Sequence, residues 1–413
     1  MFKKLNLSLI LLISILLLQC SKNPVTDEDK PQPGSNWYAK ALVESDNSFG
    51  FKLFKEIIEA EQNKNVFISP LSVSMALGMT YNGANGSTQE AMQKTLELSG
   101  LTIPEVNESY KNLIRLLTQL DAKVRFQIAN SIWYRQGLTP EEEFLNLCKE
   151  YFSALMTGLD FSHPNAAKTI NAWVDENTNG KIKEIVDDPI DAFIVMFLIN
   201  AIYFKGDWTY QFDKDQTKDD WFTLPDGTKI RCKMMEQRGL YKYFANDDFQ
   251  ILDLPYGDGD FRMTILLPNF DKNIDSLIAE FDHESFNHWI SCLAFPADSF
   301  DIYIPKFKLE YELKLNDVLE ALGMGIAFSP AADFTKMYKG GGVWIDEVRH
   351  KTFVEVNEEG TEAAAVTSVS MVDSCPGHHG FRVDRSFVFV IRENQSQSIL
   401  FIGKVVEPTF EQN

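Results

Sequence analysis

The sequence predicts an α+β fold in one domain, with helices gathered toward the front of the chain and antiparallel sheets behind them. Three observations predict it. Apolar residues in the first half recur at intervals of three and four, the second half is dominated by apolar or alternating runs bounded by turn residues, and neither a repeat nor a second linker divides residues 41–410.

The helical pattern begins at "FGFKLFKEIIEA", where Phe51, Phe54 and Ile58, with Leu53 and Ile57 beside them, mark one buried face. Further helices are expected over Leu71–Tyr81, Thr88–Leu98, Val106–Leu120, Glu141–Leu155 and Ala166–Thr178. The strand candidates are "VRFQIANSIWY", "FIVMFLINAIYF", "FQILDLPYGDGDFRMTILLP", "FDIYIPKF", "VWIDEVRHKTFVEV", "FRVDRSFVFVIR" and "SILFIGKVVEP". Gly257 to Asp260 break the third into a hairpin. Phe193–Phe204 is almost continuously apolar, which predicts a central strand covered on both faces.

The chain has 413 residues, 45% hydrophobic and 12% aromatic, enough for a large core. Lys and Arg number 39 against 59 Asp and Glu, a net charge of -20. Such a surface repels phosphate backbones, which argues against nucleic acid as a partner.

At the N-terminus, two lysines precede an apolar run from Leu5 to Leu18 and then Cys20. This is a signal-peptide layout, predicting a signal over residues 1–19 and an exported protein. Leu17-Leu18-Gln19-Cys20 resembles a bacterial lipobox, although Gln19 stands where a small residue usually precedes the Cys. The resemblance implies lipidation of Cys20 and a lipid anchor as the membrane contact, at the outer membrane or cell surface. The alternative is a plain secreted protein. Residues 20–40, polar with three prolines, read as a flexible tether.

Catalytic signatures are absent: no G-x-S-x-G elbow, P-loop or G-x-G-x-x-G occurs. His283 and His288 in "HESFNH" are five apart, about 140° around a helix, so they do not share a metal as an i, i+4 pair does. Cys375, His378 and His379 in "CPGHHG" have the donor types for copper or zinc, but read more simply as a Gly and Pro turn. The other cysteines, Cys148, Cys232 and Cys292, are scattered and predict small core residues. No cofactor and no metal are predicted.

The most informative stretch is "EEGTEAAAVTSVSMVDSC", Glu358–Cys375, a loop with the composition of a strand. If it paired in a sheet, Thr361, Ala363, Ala365, Thr367, Val369 and Met371 would share one face. Glu362 would fall with Ala364 on the other, where its charge need not be buried. Gly360 offers a pivot, and no proline interrupts residues 360–372. About a dozen new backbone pairings, at roughly 0.5–1.5 kcal/mol each, plus side-chain burial, amount to on the order of ten kcal/mol. A fold that withholds this gain is metastable.

Across residues 41–410 the chain resembles the serpin family. The resemblance rests on ordered stretches: "NVFISPLSVSMALGMTYNGANGSTQEAM", "NAWVDENTNGKIKEIV", "NAIYFKGDWTYQFD", "LDLPYGDGDFRMTILLP", "IPKFKLEYELKLNDVLEALGM", "AFSPAADFTKM", "EEGTEAAA" and "SILFIGKVVEP". At "VDRSF", Val383–Phe387, the chain departs from the His-Pro that usually precedes this Phe. The resemblance implies about nine helices on three mostly antiparallel sheets, an exposed reactive loop near residues 358–380, and no enzyme activity. It implies a monomer that traps a target protease as an acyl-enzyme when the cut loop inserts into the main sheet.

By the same resemblance, Glu358, Gly360, Thr361, Glu362, Ala363, Ala364 and Ala365 form the hinge. Ser69, Ser72, Asn200 and His350 form the shutter beneath the opening sheet, and Trp208 marks the breach where insertion starts. Counting along the loop by the family's spacing places the scissile bond between Ser374 and Cys375, with Cys375–Pro376 as the alternative. Small uncharged residues there suit elastase-like or subtilisin-like serine endopeptidases, with cysteine endopeptidases as a second class. The alternative function is a non-inhibitory binding or carrier protein of the same fold on the cell envelope.

Overall fold

A computed structural model describes residues 37–361 and 380–410. The order begins α1 (Trp37–Ala60), β1 (Val66–Ile68), α2 (Pro70–Gly83), α3 (Gly86–Thr95), α4 (Ile103–Gln119), β2 (Val124–Arg135), α5 (Glu142–Phe152), β3 (Leu155–Leu159) and α6 (Ala166–Asn177). Strands then dominate: β4 (Met196–Asp207), β5 (Lys218–Thr223), β6 (Lys229–Gly239), β7 (Lys242–Ala245), β8 (Phe249–Tyr256) and β9 (Phe261–Pro268). Two short helices follow, α7 (Ile274–Ala279) and α8 (His283–Ser291), then β10 (Phe300–Pro305), β11 (Phe307–Lys314) and α9 (Asn316–Leu319). The described chain closes with β12 (Arg349–Val356), β13 (Gly360–Thr361), β14 (Phe381–Arg382), β15 (Phe387–Glu393) and β16 (Ile399–Val405).

The strands form three sheets, of order β11-β12-β13-β4-β2-β3, β1-β16-β15-β9-β8-β7 and β14-β10-β6-β5. Among the ladders between described strands, only β2 with β3 and β10 with β14 pair in parallel. This is the expected α+β architecture.

Local chemistry accounts for the helix starts. Ser69 caps α2 by accepting from Ser72 N, and Pro70 opens the first turn, where its missing N–H costs nothing. Thr102 and Glu105 form a reciprocal capping box on α4. The hairpin between β8 and β9 turns at Gly257 and Gly259, both with positive φ. Most apolar burial falls in one core between the helices and the first two sheets. A smaller cluster sits apart from it, where α6 covers β2 and β4 around Trp133, Ile170, Val174 and Ile199.

Two expectations need correction. The apolar run from Phe193 does not begin a strand: β4 starts at Met196, and Phe193 is 92% exposed. Along 196–202 only Ile199 and Ala201 are buried and the others are half-buried, because one flank faces a cavity. The run "VWIDEVRH" enters the sheet only at Arg349. At the unusual "VDRSF", Arg385 Nε donates to Pro268 O (2.8 Å) and its guanidinium lies over Phe270, giving this turn its own anchor.

One buried acid lies among α1, α2 and α4. Asp46 Oδ1 accepts from Tyr110 Oη (2.9 Å), while Oδ2 has no partner among the described residues. Burial pushes this carboxyl up to about 7, against the opposing effect of the hydrogen bond from Tyr110. A folded pKa above the unfolded value means that ionising Asp46 costs stability progressively as pH rises from about 4 to about 7. Asp46→Asn is expected to remove this cost. In urea unfolding, the variant should gain on the order of 2–4 kcal/mol on wild type between pH 4 and pH 8; parallel pH profiles would show that Asp46 does not titrate in that window.

Candidate functional site: a split sheet and its hinge

The sheet containing β4 and β12 is joined across its centre only at the top. Thr361 pairs with Val356 of β12 on one side and Gly206 of β4 on the other. Beneath this junction lies a cavity of about 860 Å³, flanked by Met196–Ile202 of β4 and by His350 and Thr352 of β12. Its floor is α2, through Ser69, Ser72, Val73 and Ala76. Among the described residues, the turn after β12 thus enters a slot that continues, open, below it.

The turn that places β13 is tightly held. Asn357 N donates to Gly360 O (3.0 Å), and Asn357 Oδ1 accepts from the backbone N–H of Glu359 and Gly360. Gly360 has φ +156°, and a Cβ there would sit 2.2 Å from Gly206 O. Close approach to β4, as much as pivoting, demands glycine here. Across the gap, Trp208 N donates to Glu359 O (2.9 Å) and Phe212 N to Glu358 O (2.8 Å).

Side chains lock the same point. Trp208 Nε1 donates to Asn357 O (3.0 Å), and its ring stacks on Tyr256 at 4.3 Å and 9°. Tyr256 Oη in turn lies 2.6 Å from Thr361 Oγ1, both buried. Glu358 binds Lys306 Nζ (2.8 Å) and accepts from Thr217 Oγ1 (2.8 Å), while Glu359 pairs with Lys214. Burial opposes ionisation of Glu358, but the hydrogen bonds from Lys306 and Thr217 outweigh it and hold the carboxyl below its usual range.

Below, the shutter residues form one network. His350 is buried and its Nε2 accepts from Ser69 N (3.0 Å). Burial pushes its pKa down to about 4, so the ring is neutral at ordinary pH. Ser69 Oγ donates to Leu400 O (2.7 Å), tying α2 to β16. Asn200 Nδ2 donates to Asn130 Oδ1 (2.8 Å), whereas Asn200 Oδ1 is buried without a partner among the described residues. Ser72 Oγ reaches Asn200 O at 3.5 Å.

The structure thus brings Ser69 and Ser72 to the cavity floor, Asn200 and His350 to its two flanks, and Trp208, Glu358, Gly360 and Thr361 to its upper end. Glu362, Ala363, Ala364, Ala365, Ser374, Cys375 and Pro376 lie outside the described residues, as does Cys20. So does the "CPGHHG" turn. Sequence reasoning missed Tyr256, Lys306, Lys214 and Thr217. Lys306 carried a readable signal, a lone cation between two strands in "IPKF", but its partner lies 52 residues away.

Lys306→Ala would leave Glu358, with a side chain 5% exposed, without its cation. The expected loss is about 3–5 kcal/mol at pH 7, read as a lowered urea midpoint. A loss below about 1 kcal/mol would mean that water, not Lys306, compensates the carboxylate.

The family model "Serpin (serine protease inhibitor)" matches residues 44–408. An uncharacterized serpin-like protein of Thermococcus kodakarensis is 34% identical over 396 residues, covering 93% of this chain and 89% of the relative. The leukocyte elastase inhibitor of Xenopus laevis is 36% identical over 371 residues, covering 87% and 97%. Among solved structures, the thermophilic serpin tengpin in its native state superposes with a TM-score of 0.81 at 31% identity, over 92% of this chain and 98% of that one. The ordered motifs, the three sheets and the hinge at the head of a split sheet agree with these matches: the chain belongs to the serpin family of protease inhibitors and is not an enzyme.

Proposed function

We propose that the protein is a suicide-substrate inhibitor of extracellular serine endopeptidases, with cysteine endopeptidases as a second class, exported and anchored at the cell envelope through a lipidated Cys20. The observation that carries this reading is the seating of Gly360 and Thr361 above a slot that is open among the described residues. Continuing the antiparallel register from Thr361 would set Ala363 between Phe204 and Val354, Ala365 between Ile202 and Thr352, and Thr367 between Asn200 and His350. Small side chains meet the narrow upper slot, and a hydroxyl arrives beside the unpartnered Asn200 Oδ1.

The chemistry is that of a protease's own first step. The nucleophile attacks the carbonyl carbon of Ser374, the Ser374–Cys375 bond breaks, and the new N-terminus leaves with a proton, giving an acyl-enzyme. Freed at one end, the loop gains backbone partners by filling the slot, and carries the acylated protease with it before water completes the hydrolysis. Ser374 and Cys375 are both small and uncharged, which favours shallow apolar specificity pockets such as those of elastase-like or subtilisin-like enzymes. No Lys or Arg lies between Gly360 and Phe381, which disfavours trypsin-like targets.

The direct test incubates residues 36–413 with elastase, subtilisin, trypsin and papain. SDS-resistant complexes are sought, and the released C-terminal peptide is weighed. A covalent adduct with a peptide beginning at Cys375 supports the reading; one beginning at Pro376 moves the scissile bond by one residue. Loop cleavage without an adduct by any of the four would favour the non-inhibitory carrier.

Two variants refine it. Thr361→Arg forces a charge under the sheet beside Tyr256 and is expected to convert the inhibitor into a substrate, raising the number of molecules cleaved per protease trapped at least tenfold; undiminished trapping would overturn the hinge assignment. Ser374→Arg should redirect inhibition toward trypsin, with cleavage after the new side chain. Cleavage elsewhere would show that the register is wrong.

A further inference from the structure

The connection from α6 to β4 crosses the slot, and an arginine holds it on each side. On the β12 side, Arg349 makes a two-pronged pair with Asp187, Nη1 to Oδ1 at 2.8 Å and Nη2 to Oδ2 at 2.7 Å. Lys351 Nζ adds a bond to Glu184 O at 2.9 Å. On the far side, Arg135 at the end of β2 donates to Ala192 O (3.0 Å) and Ile194 O (2.7 Å). Between these anchors, Ile185, Val186, Pro189 and Ile190 line the cavity.

Two further features set this segment apart. Ile182 and Val186 belong to the small cluster under α6, which shares no buried residue with the main core. The segment can therefore shift with α6 without disrupting the large core. Its two anchors also differ in kind. Arg135 grips carbonyls of the chain itself, a contact no side-chain change in residues 191–194 removes. Asp187 is a side chain 75% exposed, whose carboxyl the Arg349 hydrogen bonds hold below its usual range. It is the anchor that solvent can release. Arg349 would not be stranded by that release, because Glu347 Oε1 lies 2.7 Å from its Nε and Glu312 Oε1 3.7 Å from its Nη1.

We propose that residues 182–195 are a strap across the slot and that the Arg349–Asp187 pair is its clasp, so that these two positioning residues set how fast a strand is admitted. This rests on the reading of the cavity as a strand slot. Opening the clasp leaves the β12 edge of the strap held by the Lys351–Glu184 bond alone, while Arg135 keeps the other edge hinged. The pair is exposed enough to be screened by salt, and its loss is worth a modest factor.

The test needs no protease. A labelled peptide of the loop sequence, Thr-Glu-Ala-Ala-Ala-Val-Thr-Ser-Val-Ser-Met-Val, is incubated with the full chain, and its incorporation is followed by comigration on native gels. Asp187→Asn should take up peptide about two- to fivefold faster than wild type at low salt. Wild type should approach the variant's rate near 1 M salt, while the variant changes little. Arg349→Lys, which keeps the charge but loses the planar fork, should fall between the two. Equal rates for wild type and Asp187→Asn at every salt concentration would overturn the clasp while leaving the slot intact. No uptake by either protein would overturn the slot reading, and the strap with it.

Discussion

The constraint on which the rest of this structure depends is the pairing of backbone groups along β4 and β12. Each strand is laddered on its outer side, β4 to β2 and β12 to β11, and on the inner side, among the described residues, the two meet only through Gly360 and Thr361. A strand edge is a row of donors and acceptors that gains from any partner of the right shape. On the proposed reading the partner is the segment of the same chain that follows Thr361. What the fold must then control is when that segment pairs, and the surrounding groups suit this timing.

At the top of the slot, order is bought with charge. Two successive carboxylates, Glu358 and Glu359, are both buried, and each has a lysine from a different connection, Lys306 from the β10–β11 corner and Lys214 from the segment after β4. The stacked Trp208 and Tyr256 complete the seat, with Tyr256 binding the Thr361 hydroxyl. A first inserted residue fixed in register determines the alternation of every residue that follows, because a slip by one would exchange the two faces. Farther down, the neutral His350 and the Ser69 cap join α2 to β12 without placing a net charge under the sheet. The strap over the slot opposes the same movement from outside, so floor, head and cover act on one event.

The separation of cores makes such movement compatible with a stable molecule. The main core is carried by α1, α2 and the sheet of β8, β9, β15 and β16, and meets the slot strands at Phe204 of β4 and at Val354 and Val356 of β12. The α6 cluster is small and sits over β2 and β4. On the proposed reading, metastability is local: among the described residues it resides in the inner edges of β4 and β12 and in Asn200 Oδ1, buried there without a partner.

Much of this was legible before the structure. The 3.6-residue and two-residue periods separate helices from strands because each element buries one face, and that pattern is written locally. The expectation of a hinge was local in the same way: small residues at alternate positions, with Glu362 on the opposite face, describe a strand able to enter a sheet, and the structure seats Gly360 and Thr361 between two strands. The family resemblance pointed to His350, Ser69, Asn200 and Trp208, residues whose types alone read as ordinary core. What the sequence could not show is which distant groups answer one another. Phe193 looked like a strand because its neighbours are apolar, and only the strap's path across the slot puts it in solvent. Glu358 with Lys306, Thr361 with Tyr256 and Asp187 with Arg349 are separated by 52, 105 and 162 residues. The sequence by itself determined the elements, their faces and the loop's capacity to become a strand, since these depend on neighbours along the chain. Only the tertiary structure decided where that strand starts, what holds it and what lies across its path, because pairing and burial are set by groups that the fold brings together from far apart.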